Sequence, residues 1–300
     1  MNIDYVVPMV FPDDAEWRSD LCHAGRGGDE RSCRYRSWNL EPLLIECIRT
    51  FMPWVRTIHI LLARESQVQP WMVDNVKMQK CKNVKIVLHR DFIPAEYLPT
   101  FNSRTIEMFL HRIPGLSDHF IYGNDDMIPL SPLAPEDFFR DGVPCQHMVD
   151  KEYPQHPNNF QAACMCGLNF VGEEFGVKFT NRWIKNGHSL APICKQSCLH
   201  LWQRGADRIR RSITQFREPH NFNQYIYSWY QHLSGQYIDH APYRVLAKPS
   251  DMSPAELKAT ILNPQVQIVC VNDNRRLSDF EPYAAIATAA IRQRLAQCKN

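Results

Sequence analysis

Acidic residues gather where apolar runs end. The stretch FIYGNDDMIP sets Asn124, Asp125 and Asp126 directly behind Phe120, Ile121 and Tyr122. Asp13 and Asp14 follow IDYVVPMV in the same way, and Asn272 and Asp273 follow VQIVCV. Neighbouring carboxylates repel unless a cation neutralises them. Oxygen donors suit Mg²⁺ or Mn²⁺, which commonly bridge to a substrate's phosphates. In open α/β sheets, ligands bind outside the carboxyl ends of the strands. Three strand ends with the same habit therefore point to a metal-assisted nucleotide site, with Asp125, Asp126 and Asp273 as ligands and Asn124 as a neutral partner. Asp and Asn are also ordinary turn and cap residues, so each pair alone has a purely structural reading.

A diphosphate needs cations. Arg217 in QFREPH is one option, and Arg204, Arg208 and Arg211, at i, i+4 and i+7 of a helical stretch, form another. Such stripes are more often solvated faces. Activating an attacking hydroxyl needs a base, and His is the commonest choice. The chain has 12 histidines, and spacing does not choose among them. Asn102 and Ser103 open a helical pattern, where they either cap it or present backbone amides to a phosphate.

The elements that must hold these residues are legible in part. IDYVVPMV (3–10), TIHILLA (57–63), NVKIVLH (83–89), FIY (120–122) and VQIVCV (266–271) read as strands; Pro8 argues for a strand end or an edge. LEPLLIECIRTFMPW reads as a helix buried through Leu44, Cys47, Ile48 and Phe51, and stopped by Pro53. Ile106, Phe109, Leu110 and Ile113 predict a helix ended by Pro114-Gly115. Further helices are expected over 195–213, 221–235 and the Ala-rich C-terminal stretch. Residues 22–37 read as a mobile loop. Residues 142–187 lack a clear period and read as irregular structure or an insertion. Strands alternating with helices argue for an α/β sheet with crossover connections.

Composition narrows the function classes. The 300 residues carry a net charge of +2, too balanced for a general nucleic-acid or membrane-surface binder. No apolar run approaches the ~20 residues of a membrane span, and the N-terminus does not read as a signal peptide. Eleven cysteines without an export signal suggest free thiols in a reducing cytoplasm. Cys164/Cys166 and Cys194/Cys198 lack the paired CxxC spacing of a structural zinc site.

Four blocks, in order, carry a family resemblance: IDYVVPMVFPDDAEW; PWVRTIHILLA with VKIVLHRDFIP and LPTFNSRTIEMFLHRIPGLSDHFIYGNDDMIPLSPLAPEDFF; GHSLAPICK with FREPHNFNQYIYSWYQHLSG; and IVCVND. The chain resembles the Stealth proteins, which include bacterial capsular polysaccharide phosphotransferases and the catalytic subunit of lysosomal-enzyme N-acetylglucosamine-1-phosphotransferase. The resemblance implies one catalytic domain over 1–300, with a GT-A-like (Rossmann-like) mixed sheet flanked by helices and the insertion at 142–187. It implies transfer of a hexose-1-phosphate (a HexNAc-1-phosphate above all) from a UDP-sugar to a hydroxyl of an oligo- or polysaccharide acceptor. The products are a phosphodiester and UMP. Carried over, Asp4, Asp125, Asp126 and Asp273 take the acidic positions, His188 is the third block's histidine and Arg217 its arginine. His188 is then the preferred base, with an Asp as alternative. Asp4, Asn102, Ser103, Asn124 and Asn272 are expected to bind substrate, at a site in the cytoplasm or peripheral at the inner membrane face. A homo-oligomer is compatible with all of this. This chain departs from the family in the first block, in LEPLLIECIR where an Arg-rich helix is usual, and at Gly123 where Phe is usual. The competing readings are glycosyl transfer releasing UDP, and an inactive scaffold.

Overall fold

The computed structural model describes residues 1–27, 33, 35–77, 83–273, 277 and 279–298, with backbone alone at 74–77. Its centre is a five-stranded sheet of β1 (Ile3–Pro8), β2 (Ile58–Leu62), β3 (Val84–Leu88), β4 (His119–Tyr122) and β10 (Ala191–Cys194), in the order β10-β4-β1-β2-β3. β1 to β4 run parallel, and β10 pairs antiparallel with β4 at the edge. This is the mixed α/β sheet with crossover connections that the alternation of strands and helices predicts. Pro8 sits at the end of central strand β1, where the missing N–H costs no ladder bond.

The strands alternate between two cores. Tyr5, Val7, Ile58, Ile60 and Ile121 face a cluster closed by α2 (Glu41–Phe51), α8 (Pro254–Leu262) and α9 (Glu281–Cys298). Val6, Leu61, Phe120 and Tyr122 face the other, closed by α4 (Ser103–Met108), α5 (Asn159–Gly172), α6 (Lys195–Ser212) and α7 (Tyr225–Leu233). Burial on both faces explains why these parallel strands read as continuous apolar runs. The predicted stripe of α2, Leu44, Cys47, Ile48 and Phe51, is wholly buried.

Short sheets extend the scaffold. β5 (Met127–Pro129) pairs with β13 (Ile268–Val271), which pairs with β12 (Arg244–Ala247). β6 (Phe139–Arg140), β7 (Val143–Gln146) and β11 (Ile238–Asp239) form a second sheet, and β8 (Met148–Glu152) and β9 (Arg182–Asn186) an antiparallel pair on either side of α5 in the chain. α1 (Ala15–Leu21) and α3 (Pro70–Lys77) complete the set.

Three expectations need correction. Residues 142–187 carry β7, β8, α5 and β9 rather than irregular chain. Cys164, Leu168 and Val171 form the buried face of α5 at i, i+4 and i+7, but apolar residues off that face, exposed Cys166 among them, blur the stripe in sequence. The helix expected to continue to Ile113 stops at Met108 and becomes a 3₁₀ turn at Leu110–Arg112. The Tyr227 hydroxyl donates to the Glu107 and Met108 carbonyls, and the Trp202 indole N–H to Met108, taking acceptors the helix would use. In the stretch 22–37, residues 28–32 and 34 lie outside the described residues, whereas Cys22–Arg26 forms a π-helical turn.

Candidate active site

A cleft of about 390 Å³ opens over the carboxyl ends of the strands. Met9 after β1, Ala63 after β2, His89 after β3, Asn124–Asp126 after β4 and Asn272–Asp273 after β13 all line it. Ser103, His188 and Arg217 complete the wall. Eight predicted site residues, from segments far apart in the chain, thus share one cavity.

Asp126 is fixed by its strand. Val271 N donates to the Asp126 carbonyl at 2.9 Å, and Cys270 lies across from Met127 in the β5–β13 ladder. That register brings the Cys270 thiol to 3.2 Å from Asp126 Oδ2. His188 Nε2 lies 3.7 Å from the same oxygen. Donor atoms of Asp126, His188 and Cys270 all fall within 4.8 Å of one another. Burial, then the Asp126 charge, push the Cys270 thiol well up, so it stays protonated.

Asp125 is crowded by like charge. Burial, then Asp126 and Glu41, push its carboxyl up to about 8. Glu41 itself is buried at the start of α2 and raised by burial, although Ser37 Oγ donates to it at 2.7 Å. Asp126 Oδ1 is buried with no hydrogen-bond partner. An orphaned carboxylate oxygen beside repelling acids is where a hard divalent cation fits, and Asp125 and Asp126 are the residues that would hold one.

Asp273 does not fit that role. Its carboxylate takes a two-pronged bond from Arg36, Nε at 2.8 Å and Nη2 at 2.6 Å, and a third from Trp38 Nε1 at 2.9 Å. A carboxylate already neutralised by guanidinium is a clamp on the cleft wall, not a free ligand. The expected ligand set Asp125, Asp126, Asp273 is therefore corrected to Asp125 and Asp126.

Arg217 is anchored from behind. Its Nη2 donates to Ser103 Oγ at 2.7 Å, and its charge acts on buried Glu107. Asn102 secures the Arg217 loop. It is fully buried, caps α4 by accepting from Arg104 N, and its amide donates to the Phe216 carbonyl and to Asn221 Oδ1. Asn102 lies behind the wall, so its expected contact with substrate is corrected to a positioning role.

Asp4 is also corrected. It lies in the first half of β1, fully buried, where Arg56 Nε and Nη2 bond it at 2.8 and 2.7 Å, His59 Nε2 lies at 3.1 Å and Ser117 N donates at 2.8 Å. Burial opposes its charge, but these partners overcome it and hold the carboxyl well below the usual range. Asp4 staples β1 to β2 at the amino end of the sheet. Asp14 caps α1 by accepting from Glu16 N and Trp17 N. Arg204, Arg208 and Arg211 lie outside the cleft lining, with Arg208 paired to Glu173.

Arg36, Trp38, Glu41 and Cys270 were not singled out from the sequence. Tyr-Arg-Ser-Trp immediately before a helix was the available signal for the first two.

Residues 34–146 match the model of Stealth protein conserved region 2. The capsular polysaccharide phosphotransferase LcbA of Neisseria meningitidis is 29% identical over 253 residues, covering 79% of this chain and 66% of that protein. The receptor polysaccharide phosphotransferase WefC of Streptococcus gordonii is 25% identical over 315 residues, covering 93% and 92%. The chain is thus similar to the Stealth proteins, through conserved region 2 and through these phosphotransferases. Among solved structures, the galactosyltransferase LgtC, in complex with donor and acceptor sugar analogs, aligns over 98% of this chain and 96% of its own at 11% identity and a TM-score of 0.47. No helix among the described residues is long and apolar enough to cross a membrane.

Proposed function

We propose that this transferase moves a hexose-1-phosphate from a UDP-sugar to a sugar hydroxyl, leaving a phosphodiester and UMP, in capsule or exopolysaccharide synthesis. The relatives' names supply the reaction class. The observation that carries the reading is one cleft bringing His188, beside Asp126, together with Arg217 and two acids at the strand ends.

In this reading the acceptor oxygen attacks the β-phosphorus, and the bond from that phosphorus to the UMP oxygen breaks. Catalysis is then mainly positioning and charge stabilisation. His188 Nε2 takes the acceptor's proton, and the Asp126 carboxylate beside it stabilises the imidazolium. Arg217, braced by Ser103, offers its guanidinium to the diphosphate. Asn124 and Asn272 line the same cavity and offer neutral hydrogen bonds to the donor. A cation such as Mg²⁺ held by Asp125 and Asp126 would neutralise diphosphate charge when bound. The reaction belongs in a compartment where the cysteines stay reduced, the cytoplasm.

The test incubates the protein with Mg²⁺, a panel of UDP-sugars and oligosaccharide acceptors. Acceptor-dependent UMP is expected. UDP in its place would establish glycosyl transfer, and neither nucleotide with any donor would remove the enzymatic reading.

A further inference from the structure

A second cavity, of about 470 Å³, lies on the other side of the segment that carries His188. Asn186, Gly187, Ser189 and Leu190 line it, whereas His188 lines the first cleft, so one short stretch of chain walls both. Its size is that of an ordinary ligand pocket.

Several features mark this cavity as built for a polar ligand. Ser228 is fully buried, lines the cavity, and its hydroxyl has no partner. Asn186 Oδ1 is likewise buried and unpartnered. Tyr243 is 57% exposed at the rim, an aromatic face on which the C–H face of a sugar ring packs.

Arg244 supplies the charge. It sits on β12 opposite Ile268 of β13, half-buried, and lines the cavity. Its guanidinium lies flat against Gly187, where a Cβ would come within 2.3 Å of Nη2 and 2.9 Å of Cζ. A side chain at 187 would displace the guanidinium from this position. Among the described residues it makes no hydrogen bond or ion pair. The one lining carboxylate, Asp239, is bonded instead to His147 Nδ1 at 2.8 Å. The charge of Arg244 also acts on Cys270, whose thiol touches Asp126. A half-buried guanidinium without an anion, one residue from His188, calls for an anionic ligand beside the transfer site.

We propose that this second cavity holds the acceptor glycan and that Arg244 binds a phosphodiester on it. The proposal rests on the transfer reading, because that reaction makes the anion in question. A chain already extended once carries a phosphodiester one sugar behind its new terminal hydroxyl. With that hydroxyl at His188, the phosphodiester meets Arg244 across Gly187. The site would favour extension of a growing polymer over priming of a neutral sugar.

Calorimetry on the full chain tests this with three oligosaccharides of equal length: one phosphodiester-linked, one neutral, one carrying a uronate. The phosphodiester compound is expected to bind about 10-fold tighter than the neutral one, a typical worth for a charged hydrogen-bonded contact. Arg244→Gln should remove that difference and leave neutral-glycan and UDP-sugar binding unchanged. Tyr243→Ala, at an exposed position that keeps the fold, should weaken all three glycans alike. A preference that survives Arg244→Gln, equal binding of the phosphodiester and neutral compounds, or uronate binding as tight as phosphodiester would each overturn the proposal. Nucleotide release, followed in parallel, separates the two readings. UMP formation without an Arg244 effect sinks the cavity assignment alone. Arg244-dependent binding without UMP sinks the transfer reading alone.

Discussion

Arg36 and Asp273, 237 residues apart in the chain, meet in a two-pronged ion pair on the cleft wall, with Nη2 to Oδ1 at 2.6 Å. The pair is largely shielded from water, at 17% and 10% side-chain exposure. Arg36 also bonds the Leu277 carbonyl and stacks over Phe280 at 4.3 Å. It therefore ties the segment entering α2 to the chain leaving β13. Removing one partner leaves a buried charge alone, which typically costs 3–5 kcal/mol, or about 2–3 here given the residual exposure. Arg36→Leu and Asp273→Asn should each destabilise by that amount, and the double variant by clearly less than the sum. Strict additivity in denaturant melts would show that the pair is not coupled.

His188 is half-exposed, so changing it should leave the fold intact. His188→Ala is expected to lower kcat by about 10²–10⁴, the usual worth of a general base, with Tm nearly unmoved. Because Asp126 supports His188 and would also hold the cation, the Asp126→Asn/His188→Ala double variant should lose more than His188→Ala alone but less than the product of the two single losses. Multiplying losses in the double variant would separate their roles.

Asp125 gives the metal-free protein a defined pH dependence. Its folded carboxyl, raised to about 8, binds a proton more tightly than in the unfolded chain. Between roughly pH 4 and 8 the folded state thus holds the extra proton, and stability falls as pH rises through that window. Asp125→Asn should flatten this slope and stabilise the metal-free protein at pH 8 by about 2 kcal/mol, a figure reduced for water in the open cleft. Mg²⁺ should stabilise the wild type at that pH and not the variant. Melting curves from pH 5 to 8.5, with and without Mg²⁺, decide it. An unchanged slope in Asp125→Asn would assign the dependence elsewhere.

The Asp126, His188 and Cys270 donors form a mixed oxygen, nitrogen and sulfur set, which suits Zn²⁺ better than Mg²⁺. Zn²⁺ there would occupy the base. Micromolar Zn²⁺ should inhibit in Mg²⁺ buffer, and Cys270→Ser should relieve the inhibition by about 10-fold. Co²⁺ should give a thiolate absorption band that the variant lacks. Equal inhibition of both proteins would exclude the thiol.

What the sequence made legible follows from what each signal depends on. Strands β1 to β4 announce themselves because both faces are buried, and Asp125, Asp126 and Asp273 announce the cleft because acids are conspicuous after such runs. Asp4 misleads because the family motif marks an acid without saying which end of the sheet it serves. Its place as the second residue of β1, rather than beyond the strand's end, was the clue. Asn102 is conspicuous for the same motif reason, although its work is holding the Arg217 loop. Arg36 and Cys270 were opaque because their importance lies in partners 237 and 144 residues away. No local period encodes those separations.

Gly123, where the family usually has Phe, shows how this chain compensates for a departure. A Cβ there would stand 2.1 Å from the Tyr5 hydroxyl and 2.8 Å from Leu190 Cδ2. Tyr5 is fully buried on central strand β1, so its ring has no room to withdraw. The large residue at position 5 thus occupies space that a side chain at 123 would need. Its hydroxyl has no partner, and burial followed by the Asp126 charge raises its pKa far above the ordinary phenol range. Gly123→Ala is expected to destabilise by about 1–3 kcal/mol, as overpacking does. Tyr5→Phe, which removes an orphaned buried hydroxyl, should stabilise by about 1 kcal/mol. The double variant should recover part of the Gly123→Ala loss, because the 2.1 Å clash is with the deleted oxygen while a ring carbon remains 2.9 Å away. Chemical denaturation of the four proteins checks the coupling, and a double variant no more stable than Gly123→Ala would show that the hydroxyl is not what glycine accommodates.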